Sequence, residues 1–199
     1  WWASNFTAGY ISTAKLIVDG VVKDRWTELK RFVSLLKDGG NVNVWYHYDL
    51  TKIPETSGEI AIEKPTVIDF KKAVTLTVGK SQIINKSQLT IRGEGTMTAT
   101  ANIITNEGKV TIDGGNFQAT GTGDAAIVFN TGDVVINGGA LESNGHYAIQ
   151  NNYGKSVTIN GGSITSKGGN DYCLLMHGSG VLTVTSGTLT GNFGCVRLH

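Results

Sequence analysis

The chain has 199 residues, with 17 Lys and Arg set against 16 Asp and Glu and a formal net charge of +1. Such a balance produces no overall field that would draw the protein to nucleic acid or to an anionic membrane. Its 27 glycines against 2 prolines fit a turn-rich β protein without the strict period of collagen, no apolar run is long enough to cross a bilayer, and 2 cysteines are too few for a disulfide framework.

Residues 1–23 read as a junction. The opening Trp1-Trp2-Ala3-Ser4-Asn5 holds no initiator methionine, basic segment or signal-peptide core, and reads as an interior stretch of something longer. Lys15 to Lys23 reads as a hairpin about the Asp19-Gly20 turn. From Asp24 to Lys37 the apolar residues Trp26, Leu29, Phe32, Val33 and Leu36 follow the spacing of an amphipathic helix that starts at a capping residue and stops at Gly39-Gly40. Beyond it Val42, Val44, Tyr46, Tyr48 and Leu50 alternate with Asn43, Trp45, His47 and Asp49, which predicts one strand. Strands follow at Glu59–Glu63, Pro65–Phe70 and Ala73–Val78, less regular than what comes later.

From residue 89 a short phrase recurs five times: Leu89-Thr-Ile, Val110-Thr-Ile, Val134-Val-Ile, Val157-Thr-Ile and Leu182-Thr-Val, each followed by a glycine corner and another apolar residue. Ile91, Ile112, Ile136, Ile159 and Val184 are separated by 21, 24, 23 and 25 residues, the period of a solenoid. A second apolar station holds Met97, Phe117, Leu141, Ile164 and Leu189; a third holds Ile103, Ile127, Ile149, Leu174 and Val196. Three short strands per coil, each stacked on its equivalent one turn away, describe a parallel β-helix filled by aliphatic ladders, each buried Val, Leu or Ile contributing roughly 1.5–3 kcal/mol. The organisation is a β-helix domain over 24–199, with a helix cap at 24–38, irregular first coils at 41–88 and regular coils at 89–199. The helix would cover an otherwise open sheet edge.

Outward residues form columns of their own. Thr90, Thr111, Val135, Thr158 and Thr183 line one sheet, and Thr98, Gln118, Glu142, Thr165 and Thr190 another. Lys109, Asp133 and Lys155 alternate in sign at one corner, and Asn106 and Asn130 share a corner where side-chain amides can bond from coil to coil. Ala126, Ala148, Cys173 and Cys195 fall in one column, so the two cysteines are either buried thiols or partners close enough to bridge. The last coil ends at Cys195-Val-Arg-Leu-His199 without a cap, as part of a longer helix or of one that docks onto a partner would.

The order helix, Gly-Gly, strand, then Val-Thr-Leu, Leu-Thr-Ile-x-Gly and Gly-Lys-Val-Thr-Ile-x-Gly-Gly-x-Phe resembles pectate-lyase-like right-handed parallel β-helix modules. Such modules occur in gut-bacterial surface proteins and in the fibres and tailspikes of their phages, and the resemblance covers residues 25–199. It implies an extracellular place on a virion or a bacterial surface, a homotrimer, upstream and downstream parts of a longer chain, and a cell-surface polysaccharide as partner. The superfamily includes lyases, hydrolases and non-catalytic shafts.

A lyase of this kind needs carboxylates for calcium, which takes six to eight oxygen ligands. The column Arg92, Asp113, Asn137, Asn160 and Thr185 offers one carboxylate among amides, so no metal or other cofactor is expected. The Asp-Asp pair of polygalacturonases is absent, and Gly145-His146-Tyr147 is the nearest piece of their Gly-His-Gly. One constellation remains. Alignment stacks Asp124, His146, Asp171 and Phe193, with Ala125, Tyr147, Tyr172 and Gly194 beside them. A histidine between two aspartates favours its charged form, and the tyrosines can stack on sugar rings. Trp45 and His47 on the outward face of their strand offer a second surface. The expectation is a non-enzymatic structural and attachment module that contacts a glycan through Asp124, His146, Tyr147, Asp171, Tyr172 and Trp45. The alternative is a polysaccharide lyase or hydrolase working through His146, Asp124, Asp171 and Tyr147.

Overall fold

Short strands with one apolar face, broken by glycine every few residues, can bury that face only against copies of themselves. The computed structural model realises this packing; it describes residues 16–18, 21–23, 25–52, 59–79, 82–153, 155–169 and 171–199. Three parallel sheets of seven strands each wind about a common interior in about six turns. We number the coils 1 to 7, over residues 40–62, 66–85, 88–106, 109–130, 133–152, 156–177 and 181–198. Each coil contributes one strand to each sheet in the same order.

The interior is three continuous ladders. In the first sheet Val42, Ile68, Ile91, Ile112, Ile136, Ile159 and Val184 stand in register. In the second, Tyr48, Leu76, Met97, Phe117, Leu141, Ile164 and Leu189 do so. Both stations match the sequence reading, and two further coils precede the five phrases. Between these sheets the chain turns on glycine: Gly115, Gly139 and Gly162 have φ of 93°, 94° and 84°, a region L side chains avoid. A Cβ at Gly139 would lie 2.7 Å from the Gly115 carbonyl oxygen of the coil below.

The third sheet corrects the reading. Its ladder is Ile60, Ile83, Ile104, Val128, Ile149, Leu174 and Val196, so the first two members of the third station are Ile104 and Val128, one residue later than expected. Ile103 and Ile127 are nonetheless fully buried in the same core. The bend entering this sheet turns two consecutive side chains inward, and strict alternation cannot anticipate that. Ala126 therefore leaves the cysteine column, which runs Ile103, Ile127, Ala148, Cys173 and Cys195. Cys173 is buried, Cys195 is exposed and both are free thiols.

Two other placements differ. The strand expected over 42–50 is two strands, Gly40–Val44 and Tyr48–Asp49, in different sheets, with Trp45, Tyr46 and His47 turning the corner. Inward Val42, Val44, Tyr48 and Leu50 keep their alternation through the turn because the core lies inside it. Opposite Asp133 stands Ser156 rather than Lys155, and its hydroxyl donates to the Asp133 carboxylate at 2.6 Å. The corner after the third sheet is richer than expected. Asn85, Asn106, Asn130 and Asn151 form one buried column in which each amide Nδ2 donates to the next Oδ1, at 2.7, 2.6 and 2.6 Å.

Helix α1, Arg25–Asp38, packs on the first coil as the sequence indicated; Asp24 lies outside the described residues. Leu29, Phe32, Val33 and Leu36 are buried, and Phe32 stacks on Tyr48 with ring centroids 4.2 Å apart. The strands Leu16–Val18 and Val21–Lys23 pair antiparallel as a hairpin requires; the Asp19-Gly20 turn itself lies outside the described residues.

Candidate functional site

Two of the three outer faces are plain. The first sheet presents Thr90, Thr111, Val135, Thr158 and Thr183 in register, and the second Thr98, Gln118, Glu142, Thr165 and Thr190. Small β-branched and polar residues on such faces keep a solenoid soluble and in register.

The third sheet is different. Its outward column in coils 4 to 7 is Phe129, Gln150, Leu175 and Arg197. Asn152 pairs with His177, whose ring stacks on that of His199 at 4.6 Å with 16° between planes. Tyr153, held at φ 60° and 71 % exposed, meets His177 edge-on at 4.4 Å. The turns entering the sheet add His146, Tyr147, Asp171, Tyr172 and Phe193. Large side chains of this kind on an exposed face mark a contact surface.

Within that face most of the sequence-predicted residues come together. His146 Nδ1 lies 2.7 Å from Asp171 Oδ1, with Asp171 the more buried partner. Tyr172 and Phe193 pair edge-on at 5.3 Å, a favoured aromatic geometry. The Tyr147 hydroxyl accepts from Arg197 Nη1 at 3.1 Å. Asp124 behaves otherwise. The backbone N–H of His146 donates to Gly123 O at 2.7 Å, which sets the two turns side by side, but the Asp124 carboxylate bonds to no described residue. His146 therefore has one aspartate partner, not two.

Trp45 does not join this group. It is 46 % exposed but sits in coil 1, at the corner between the first and second sheets. Three strand spacings of about 4.8 Å separate that coil from the nearest residue of the third-sheet face. His47 is half-buried, and its Nδ1 accepts the Thr75 N–H at 3.0 Å, so it braces the corner rather than facing outward.

Sequence reasoning missed Gln150, Tyr153, His177, Arg197 and His199. The signal was the register of Ile149, Leu174 and Val196, which, continued past the station, sets Arg197 beside Leu175 and Gln150, and His177 beside Asn152. Two buried side-chain atoms with no hydrogen-bond partner among the described residues, Gln150 Oε1 and His177 Nδ1, belong to the same face. Among the described residues no three His, Cys, Asp or Glu side chains converge as a metal site would require. The column of Asp113, Asn137 and Asn160, read from the sequence as too poor in carboxylates for calcium, forms a surface ladder: Asn137 donates to Asp113 at 2.7 Å and Asn160 to Asn137 at 2.9 Å.

Chemically the face can do two things. Its rings offer apolar planes beside hydroxyl, imidazole and guanidinium groups, the mixture that holds a polyhydroxylated ligand. The His146–Asp171 pair is a carboxylate-oriented imidazole whose Nε2 bonds to no described residue, an arrangement able to move a proton. Fold and face together define a class: a parallel β-solenoid with one aromatic- and histidine-lined side. Comparison with protein-family models, with curated proteins and with solved structures returned no match.

Proposed function

We propose that this chain is a structural and attachment module, a rigid shaft that contacts a cell-surface glycan through the outer face of its third sheet. The observation that carries the reading is the asymmetry between faces. Threonine columns line two sides, while His146, Tyr147, Tyr172, Phe193, His177 and Arg197 gather on the third. The resemblance to phage-fibre and bacterial-surface β-helices adds an extracellular location and a homotrimeric assembly to the proposal.

Binding is tested by titrating the protein against a panel of purified bacterial polysaccharides. Saturable binding that is lost in Tyr172→Ala and kept in Thr111→Ala supports the reading; no binding to any member overturns it. Light scattering tests the assembly: a trimer mass is expected, and a monomer at high concentration removes that part.

A second reading, a polysaccharide lyase or hydrolase, is favoured by one observation, the 2.7 Å contact between His146 and Asp171. It requires the same panel to yield shorter chains or new reducing ends, and requires His146→Ala to abolish them. Cleavage unaffected by that substitution would place any activity elsewhere.

A further inference from the structure

Cys173 and Cys195 are bracketed by the register pairs Tyr172–Gly194 and Leu174–Val196, so they face each other across adjacent parallel strands. Neighbouring strands lie about 4.8 Å apart, inside the Cα separation of about 4.4–6.8 Å that disulfides span. The two sulfurs also converge on one short stretch of the second sheet. Cys195 Sγ donates to the Leu189 carbonyl oxygen at 3.1 Å, and the backbone of the next residue, Thr190, lies near enough to the Cys173 thiol to act on its pKa. Both are free thiols, Cys173 buried and Cys195 exposed.

Their position matters for the candidate face. The strand Gly194–Leu198 is coil 7's contribution to the third sheet and carries Arg197, while Phe193 immediately precedes it. Its backbone is paired with Tyr172–His177 on one side. A covalent link at residue 195 would fix this strand between the two side chains it brings to Tyr172 and Tyr147.

We propose that Cys173 and Cys195 form a disulfide on exposure to a small-molecule disulfide, stitching coil 7 to coil 6 and holding Phe193 and Arg197 in place. Exposed Cys195 reacts first. Its thiolate attacks one sulfur of the reagent, the reagent's S–S bond breaks, and the departing thiolate takes up a proton. Cys173, as its thiolate, then attacks the Cys195 sulfur of the mixed disulfide and expels the second thiol. The protein loses two electrons and two protons, and the reagent gains them as two thiols. Burial, with Cys195 close by, pushes the Cys173 thiol up to about 12, so the second step is slow at neutral pH and quickens as pH rises.

The test is incubation of the whole chain with oxidised glutathione at mildly alkaline pH, followed by intact-mass measurement and non-reducing peptide mapping. The expected product is a monomer lighter by two hydrogens, without a glutathione adduct, in which the peptides of Cys173 and Cys195 are linked. Its thermal midpoint should rise and fall back on reduction, and Cys195→Ser should show neither change. Cys173→Ala, which places there the alanine that coil 5 has at Ala148, should stop at a stable glutathione adduct on Cys195. The proposal is overturned if the parent chain also stops at that adduct, or yields only covalent dimers. The disulfide stands apart from the glycan reading; only its effect on binding rests on it. Loss of glycan binding in both redox states would remove that reading and leave the disulfide intact.

Discussion

Asn130 donates its side-chain amide to Asn151 at 2.6 Å, and the amide of Asn151 donates to no described residue. The register explains why. The column that begins Ile62, Asn85, Asn106, Asn130, Asn151 continues with Met176 and Leu198, so the fourth asparagine meets a thioether where the others meet an amide oxygen. A buried polar ladder is fully satisfied along its length and loses a bond only where the pattern stops.

The ladder predicts a position-dependent response to substitution. Asn106→Ala removes an acceptor from Asn85 and a donor to Asn130, and should cost about 1–3 kcal/mol. Met176→Asn places an acceptor beside Asn151 Nδ2, so it should destabilise less than Leu174→Asn, which buries an amide in the apolar ladder, by about 1 kcal/mol. Urea titrations of the variants measure both. Equal losses at 174 and 176 would mean that the orphaned amide has found another partner in solution.

A second prediction concerns acid. Asp69 is a buried carboxylate held by Lys71 and by Arg92, the latter at 2.8–2.9 Å. Burial alone would raise its pKa, but the hydrogen bonds from Lys71 and Arg92 and their charges outweigh this and hold the carboxyl below its ordinary range. A depressed folded-state value contributes stability that is fully present above the unfolded value, near 3.9 for an aspartate, and is lost as pH falls through the still lower folded value. Asp69→Asn should therefore flatten the acid limb of a stability–pH curve while leaving its shape near neutrality unchanged. Parallel acid limbs for parent and variant would refute the assignment.

Glycine corners give a third. Gly139→Ala meets both a positive φ and a carbonyl oxygen 2.7 Å from the new Cβ, whereas Gly123→Ala meets a φ of 74° with nothing within 4 Å. The second should cost about 1–2 kcal/mol from backbone strain alone, and the first clearly more, because the neighbouring coil must shift as well. Thermal unfolding of the pair decides it; the reverse order would show that the corner yields more easily than the backbone.

The candidate face supplies a fourth. If rings of the Tyr172–Phe193 pair stack on a sugar, removing either should weaken polysaccharide binding about tenfold, the equivalent of about 1.4 kcal/mol. Trp45→Ala, five coils from Tyr172, should leave it unchanged. Calorimetry on one bound polysaccharide is sufficient, and a Trp45 effect as large as that of Tyr172 would move the site.

How far the chain was legible depended on which residue sat where. Ile91, Ile112, Ile136 and Ile159 announce their ladder because each stands in the same phrase, between a β-branched residue and a glycine corner, and the period of two within a short strand leaves a single inward choice. Asn106 and Asn130 were visible for the same reason. Asn85 holds the same place, four residues before Leu89, and went unread; Asn151 was hidden because six residues rather than four separate it from Val157.

His146 and Asp171 were also readable as neighbours, one coil apart in equivalent turns. Their separation from Asp124, and the joining of Arg197 to Tyr147, were not. The first depends on the bend before the third sheet, where Ile103-Ile104 and Ile127-Val128 each turn two side chains inward; the second is a reach across two coils that no register records. A linear pattern records which residues are apolar but not the angle at which a corner delivers them. The amino-acid sequence by itself thus determined the solenoid, its period and two of its three ladders, because repeated burial leaves a repeated pattern. Only the tertiary structure decided how coils 3 and 4 enter the third sheet, which sets Asp124 apart from His146, and the gathering of Tyr147, His177, Arg197 and His199 on one face, because the angle at a corner leaves no mark in a linear pattern.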